Sequence, residues 1–148
     1  MAMLDTMAGA VVVREGRVLL GRRAATRSFY PDVWDIFGGH LEHGEEPEQA
    51  LVRELEEELG IVPTSWSPLD TQRVLANDQA GVSQASRTLF LYCVTAWLGT
   101  PHNRQPHEHS AIGWFTLPQV AELDLPDPAY LPILAACLAD SRDGRTSR

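Results

Sequence analysis

Residues 39–61 read GHLEHGEEPEQALVRELEEELGI, and the way the acidic and apolar side chains of this stretch separate decides the fold around it. Pro47 fits the first turn of a helix and Gly60 is a stop signal, so the pattern predicts a helix over 47–59. At about 100° per residue, Leu51, Val52, Leu55 and Leu59 gather on one arc, the arc that turns to a core. Glu54, Glu57 and Glu58 gather on a neighbouring arc, because residues three and four apart lie side by side on a helix. Glu56 points to solvent, and Arg53 flanks the acidic arc near Glu57.

From Glu42 to Glu58 there are eight glutamates and one basic residue, Arg53. Like charges at helical spacing cost roughly 0.2–0.5 kcal/mol per pair, and burial beside the leucines raises that cost. A solvated helix face ordinarily interleaves lysine with glutamate, and this one has no lysine. A divalent cation turns the repulsion into coordination, since Mg2+ and Mn2+ prefer hard oxygen ligands. The helix reads as one built for metal.

The rest of the chain bounds what such a helix can serve. A length of 148 residues fits one domain with a sizeable core, and 44% apolar with 22% charged residues suits a soluble globular protein. The net charge of −8 argues against binding nucleic-acid polymers, which rests on lysines and arginines facing phosphates. Small polyphosphates remain within reach if bound cations reverse the local field. No apolar run approaches the length of a membrane span, and the N-terminus, with Asp5 and no basic leader, does not read as a secretory signal. Cys93 and Cys137 sit in apolar stretches and are expected as buried thiols rather than a disulfide, which suits a reducing cytoplasm.

Working outward, residues 10–13 and 17–21 read as a hairpin joined at Glu15-Gly16, and 34–37 as a short strand before Gly38-Gly39. After the helix, 63–70 reads as a loop, and 71–75 and 87–96 as strands flanking a mobile polar loop at 77–86. Residues 100–109 read as a Pro- and His-rich loop, 111–115 as a strand, 117–123 as a helical turn and 130–140 as a final helix. The expected layout is a disordered or tag-like segment 1–7, one domain over 8–140 and a disordered tail 141–148. Irregular alternation of strands and helices favours one mixed sheet with helices on its faces.

The quoted stretch resembles the Nudix box, which asks for Gly, five residues, Glu, seven residues, Arg-Glu-apolar, one residue, Glu-Glu, one residue, Gly-apolar. Gly39, Glu45, Arg53-Glu54-Leu55, Glu57-Glu58 and Gly60-Ile61 meet every fixed position. The resemblance implies an α/β fold (α+β in some schemes), an α/β/α sandwich with a mixed sheet between helices. It implies Mg2+ or Mn2+ held by Glu57, Glu58 and the Gly39 carbonyl, with Glu54 as ligand or as the base for the attacking water. For Arg53 and Glu45 it implies either a direct chemical role or a scaffolding ion pair that orients the carboxylates. A cation in that place neutralises pyrophosphate oxygens and activates water.

The same resemblance implies for Glu108, in the loop before the strand ending Gly-Trp114-Phe115, a further acidic ligand or base, with a solvated loop glutamate as the equal alternative. His107 and His109 match no zinc pattern and are expected to be solvated; His40 and His43 occupy variable box positions. Arg22 and Arg23 leave a strand beside the substrate-side loop. The resemblance to triphosphate-cleaving members of the family implies one of them on phosphate, Arg23 before Arg22, with a surface ion pair as the alternative. Phe29, Tyr30 and Trp34 are candidates for stacking on a base, although Trp34 and Trp114 are expected in the core.

The implied activity is hydrolysis of a pyrophosphate bond in a small nucleoside diphosphate derivative, first of all a nucleoside triphosphate cut to monophosphate and pyrophosphate. A nucleotide sugar or dinucleotide substrate, and a nucleotide-sensing domain without catalysis, remain open, as does a homodimer. Trp-Asp-Ile-Phe-Gly-Gly-His is also similar to the isoprenoid-diphosphate isomerase branch, but no cysteine lies near it. Ala76 stands where ADP-ribose-cleaving relatives often carry proline. Asp127-Pro-Ala-Tyr130 stands where 8-oxo-guanine readers carry asparagine.

Overall fold

In the strand formed by Thr6–Arg14 (β1), successive side chains point to opposite faces, and both faces are apolar. Ala10 and Val12 join one core cluster, Val11 and Val13 another. A strand buried on both sides needs a covering layer on each. The computed structural model describes residues 6–27, 30–69, 72–76 and 85–146. Its further elements are β2 (Arg17–Arg23), β3 (Trp34–Asp35), β4 (Phe37–His40), α1 (Pro47–Leu59), β5 (Val62–Pro68), β6 (Gln72–Ala76), β7 (Ala85–Leu98), β8 (His109–Phe115), α2 (Leu117–Val120) and α3 (Tyr130–Thr146).

The sheet runs β3-β2-β1-β7-β5, with β4 also paired to β1, β6 to β7 and β8 to β2. The β1–β7 pairing is parallel and the others are antiparallel, so the sheet is mixed. On one face α1 sets Leu51, Leu55 and Leu59 against Ala10, Val12 and Leu19. These leucines are at most 1% exposed, and burying each is worth about 1.5–3 kcal/mol. On the other face Val120, Leu134 and Leu138 of α2 and α3 cover Val11, Val13, Val18 and Leu20. This is the expected α/β/α sandwich.

Several boundaries differ from the sequence reading. The 63–70 loop is largely strand: β5 pairs with β7, and Pro63 and Pro68 are tolerated because β5 lies at the end of the sheet's strand order. β1 already begins at Thr6, inside the segment expected to be disordered, and α3 continues past residue 140 to Thr146. The mobile loop expected at 77–86 falls mostly outside the described residues, as does Phe29.

The cysteine expectation is overturned. Cys93 and Cys137 form a disulfide, with Cα atoms 6.0 Å apart. The cause is convergence: Cys93 of β7 and Cys137 of α3 both point into the second core cluster, a meeting that their separation of 44 residues in the chain does not reveal. The bridge fastens α3 to the sheet. Among the described residues no helix is long and apolar enough to cross a membrane.

The loop between β7 and β8 has a structural task. The carbonyls in the last turn of a helix have no partner inside it. Here Arg104 N–H donates to Glu58 O at 3.0 Å, His102 N–H to Leu59 O at 3.1 Å, and the Arg104 guanidinium to Glu56 O at 3.1 Å. The cation also sits at the negative end of the helix dipole. The glutamate-bearing helix is thereby anchored at its C-terminal end.

Candidate active site

The carboxylates of α1 are held by the start of the helix as well as its end. Glu46 N–H donates to Gln49 Oε1 at 2.8 Å at the N-terminus. Gly60 closes the C-terminus in the left-handed region at φ 70°. Between them Arg53 grips Glu45 with both prongs of its guanidinium, Nε to Oε2 at 2.8 Å and Nη2 to Oε1 at 2.9 Å. Its Nη1 reaches Glu54 Oε2 at 3.0 Å and Glu57 Oε1 at 3.3 Å, and Nη2 also donates to the His40 carbonyl. Hydrogen bonding to Glu45 holds Arg53 firmly charged, and the same bond draws Glu45 below the usual carboxylate range.

The turn Gly38-Gly39 of β4 lies against these carboxylates. Gly38 has φ 147°, and a Cβ there would strike the Ala8 carbonyl. A Cβ on Gly39 would stand 2.5 Å from Glu54 Oε2. Gly38 is therefore needed for β4 to lie this close to β1, and Gly39 for β4 to lie this close to α1. Gly38 N–H donates to Glu58 Oε1 at 3.0 Å. Glu58 is 6% exposed. Burial, then the charges of Glu54 and Glu108, push its pKa up to about 9 despite the Gly38 bond. Glu54 is also raised, by burial first, with Arg53 opposing.

These groups line a cleft of about 420 Å³ that also takes in Gly39, Arg53, Glu57, Glu108, Arg23, Arg27, Asp35, His109 and Tyr130. Of the residues singled out from sequence, Glu54, Glu57, Glu58, Arg53, Gly39, Glu108 and Arg23 are thus brought together. Glu45 stands behind the wall and acts on the cleft through Arg53. Arg22 is not brought in: neighbouring strand residues face opposite ways, and Arg22 pairs with Asp32 at the surface, 3.4 Å away. His107 is exposed as expected, whereas His109 is not solvated. It is 5% exposed and tilted against Phe37 at 5.3 Å, in space left by Gly21, where a Cβ would stand 2.8 Å from its ring. Trp34 packs edge-on against Phe115, and Trp114 stacks with Trp97.

Sequence reading missed Asp35, Tyr130 and Arg27. Asp35 lies beside Arg23, whose Nη1 is 3.9 Å from Oδ2. Burial raises the Asp35 pKa to about 6, with Arg23 opposing. Burial likewise raises the Tyr130 phenol, with Asp35 adding to the effect. The overlooked signal was a lone acid inside the apolar strand Trp34-Asp35-Ile36-Phe37.

The donor set fits a hard divalent cation. Among the described residues no three acidic or histidine side chains already meet at one point, and the positive charge among them is the Arg53 guanidinium. Yet a carboxylate only 6% exposed, flanked by two more on one helix face, offers the hard oxygen donors that a divalent cation takes. Glu57, Glu58 and the Gly39 carbonyl are the groups that would hold the ion.

Comparison with known proteins identifies the family. The NUDIX domain family model matches residues 3–137. The chain is 36% identical over 139 residues to the CTP pyrophosphohydrolase of Escherichia coli K12, covering 94% of each protein. It is 32% identical over 137 residues to the 8-oxo-dGTP diphosphatase of the same organism, covering 91% of this chain and 96% of that one. The crystal structure of a MutT NUDIX hydrolase from Burkholderia pseudomallei superposes with a TM-score of 0.68 at 35% identity, covering 84% of this chain and 88% of the other. With its box spread over β4, α1 and the glycine turn between strand and helix, the chain belongs to the Nudix hydrolase family.

Proposed function

We propose that this Nudix hydrolase uses Mg2+ or Mn2+ to cut nucleoside triphosphates into a monophosphate and pyrophosphate. The observation that carries the reading is the joining, in one cleft, of the α1 carboxylates with Arg23 and Arg27. The first group suits a cation and the second suits phosphate oxygens. When bound, the cation supplies charge neutralisation at the phosphates and a more acidic attacking water.

The chain's own groups divide the remaining work. Glu57, Glu58 and the Gly39 carbonyl, joined by Glu108, would hold the ion. Glu54, raised by burial and steadied by Arg53, accepts the proton of the attacking water. Arg53 and Glu45 orient that carboxylate. Arg23 binds phosphate, and the Asp35–Tyr130 end receives the base. A carboxylate can accept a hydrogen bond from the cytosine N4 amine, which agrees with the named substrate of the E. coli CTP pyrophosphohydrolase. A cytoplasmic setting no longer has the support of free thiols and rests on the nucleotide substrate alone.

The test is a panel of CTP, dCTP, the other nucleoside triphosphates, 8-oxo-dGTP, nucleotide sugars and dinucleotides with Mg2+ and Mn2+, pyrophosphate and orthophosphate being measured separately. Triphosphates should release pyrophosphate, cytidine compounds fastest. Orthophosphate as the sole product, or turnover of nucleotide sugars alone, contradicts the proposal.

A further inference from the structure

Arg27 and Glu108 face one another across the cleft from different loops. Arg27 lies on the connection from β2 to β3, and Glu108 ends the connection from β7 to β8. The two loops are tied by the Ala24 N–H to Glu108 carbonyl bond of 2.9 Å, and Arg27 N–H folds back onto the Ala24 carbonyl at 3.1 Å. The side chains meet only loosely. Arg27 Nη1 is 3.7 Å from Glu108 Oε1, and the two are 33% and 36% exposed. The other Glu108 oxygen is 3.8 Å from Nε2 of His107, itself 75% exposed.

The neighbouring cation is held differently. Arg23 donates from Nε to the Tyr30 carbonyl at 3.1 Å, lies 3.9 Å from Asp35, and is 18% exposed. Of Arg23 and Arg27, which lie away from the Glu45–Arg53 clamp, Arg27 is therefore the one whose partner yields more readily. A pair about a third exposed and beyond hydrogen-bond distance holds its partners together only a few-fold in equilibrium. A polyphosphate offers its guanidinium a stronger, two-pronged contact. Glu108 lines the same cleft as Glu54, Glu57 and Glu58, so a cation drawn to those carboxylates attracts it as well.

We infer that Arg27 and Glu108 form an exchangeable ion pair: polyphosphate takes Arg27, and Glu108 turns to the divalent cation among the α1 carboxylates. Each ligand releases the residue that the other needs, so the two binding events assist one another, and by linkage the assistance is equal in both directions. The inference deepens the triphosphate-hydrolase reading and rests on it for the identity of the cation. Its anion arm is testable without turnover.

The experiment uses the full chain, with inorganic pyrophosphate titrated calorimetrically in EDTA and Mn2+ titrated by electron paramagnetic resonance without nucleotide. Glu108→Gln should tighten pyrophosphate binding roughly two- to fivefold, the span expected for one exposed pair. Arg27→Gln should weaken pyrophosphate binding and tighten Mn2+ by a similar factor. Glu42→Gln removes the same charge from another cleft carboxylate, one that lies 3.7 Å from Arg53 rather than Arg27, and controls for any effect that does not pass through Arg27. In the Arg27→Gln background, Glu108→Gln should help pyrophosphate no more than Glu42→Gln does. Equal pyrophosphate affinity of wild type and Glu108→Gln, or undetectable binding in both, overturns the exchange. An equal gain from Glu108→Gln with and without Arg27 overturns it as well. If these shifts appear but no triphosphate is hydrolysed, the functional reading fails and the ion-pair exchange stands.

Discussion

Gly38 donates its backbone N–H to Glu58 Oε1 at 3.0 Å across 20 residues of chain, so the β-strand before the box holds the carboxylate that the helix buries. That bond offsets only part of the cost of burial, and the Glu58 pKa stays at about 9 against an ordinary 4.5. At neutral pH and without a divalent ion, Glu58 therefore keeps its proton.

A pH dependence with a definite sign follows. The folded pKa is raised, so the folded state binds more protons than the unfolded chain between about 4.5 and 9, and stability declines as pH rises through that window. Asp35, raised from 3.8 to about 6, adds to the decline only below about pH 6. Urea unfolding in EDTA should show falling stability from pH 6 to 9, and Glu58→Gln should flatten it while leaving the metal-free fold intact. A wild-type profile that rises over this range contradicts the assignment. Activity of Glu58→Gln should fall by two orders of magnitude or more, as is common for loss of a metal-holding group.

Metal binding should also displace the Glu58 proton, because a coordinating carboxylate is ionised. Calorimetry of Mg2+ or Mn2+ binding at pH 7.5 in buffers of differing ionisation enthalpy should reveal proton release. Release that persists undiminished in Glu58→Gln assigns it to another group.

Arg53 acts by geometry as much as by charge. Lysine keeps the charge but cannot form the two-pronged contact with Glu45 while reaching Glu54. Arg53→Lys should lower kcat about a hundredfold with a smaller change in KM, and cost ~1–3 kcal/mol in stability for lost charged hydrogen bonds. Comparable kcat in Arg53→Lys and wild type argues that Glu54 needs no such steadying.

Gly39→Ala tests the closeness of strand and helix. Its Cβ would stand 2.5 Å from Glu54 Oε2, so the carboxylate must move, and kcat should drop at least tenfold, since misplacing a catalytic group by about 1 Å can cost a hundredfold. Unchanged kinetics would mean that Glu54 has freedom the packing does not suggest.

The disulfide closes a 44-residue span, worth ~4 kcal/mol on the chain-entropy account. Thiol counting on the denatured, unreduced protein should find none, and a reducing agent should lower Tm by several degrees. Two free thiols before reduction would restore the original expectation.

The glutamate helix was legible because its information is local: period, proline entry and glycine exit all lie within the quoted 23 residues. The sandwich was legible because the box carries a family resemblance that implies it, and because strands and helices alternate irregularly along the chain. What escaped depends on distant meetings. Cys93 finds Cys137 only when α3 lies on β7. Asp35 becomes a site residue only beside Arg23 and Tyr130. His109, in a polar-looking loop, is buried only because Gly21 on another strand leaves room for its ring. β5 looked like a loop because Pro63 and Pro68 hide a strand that pairs on β7.

The central claim is that the α1 carboxylates hold a divalent cation, and Mn2+ binding followed by electron paramagnetic resonance tests it most directly. Wild type should bind Mn2+, more tightly with inorganic pyrophosphate present, and Glu57→Gln and Glu58→Gln should each weaken binding at least tenfold. No Mn2+ bound by the wild type even with pyrophosphate, or equal binding by both variants, contradicts the account.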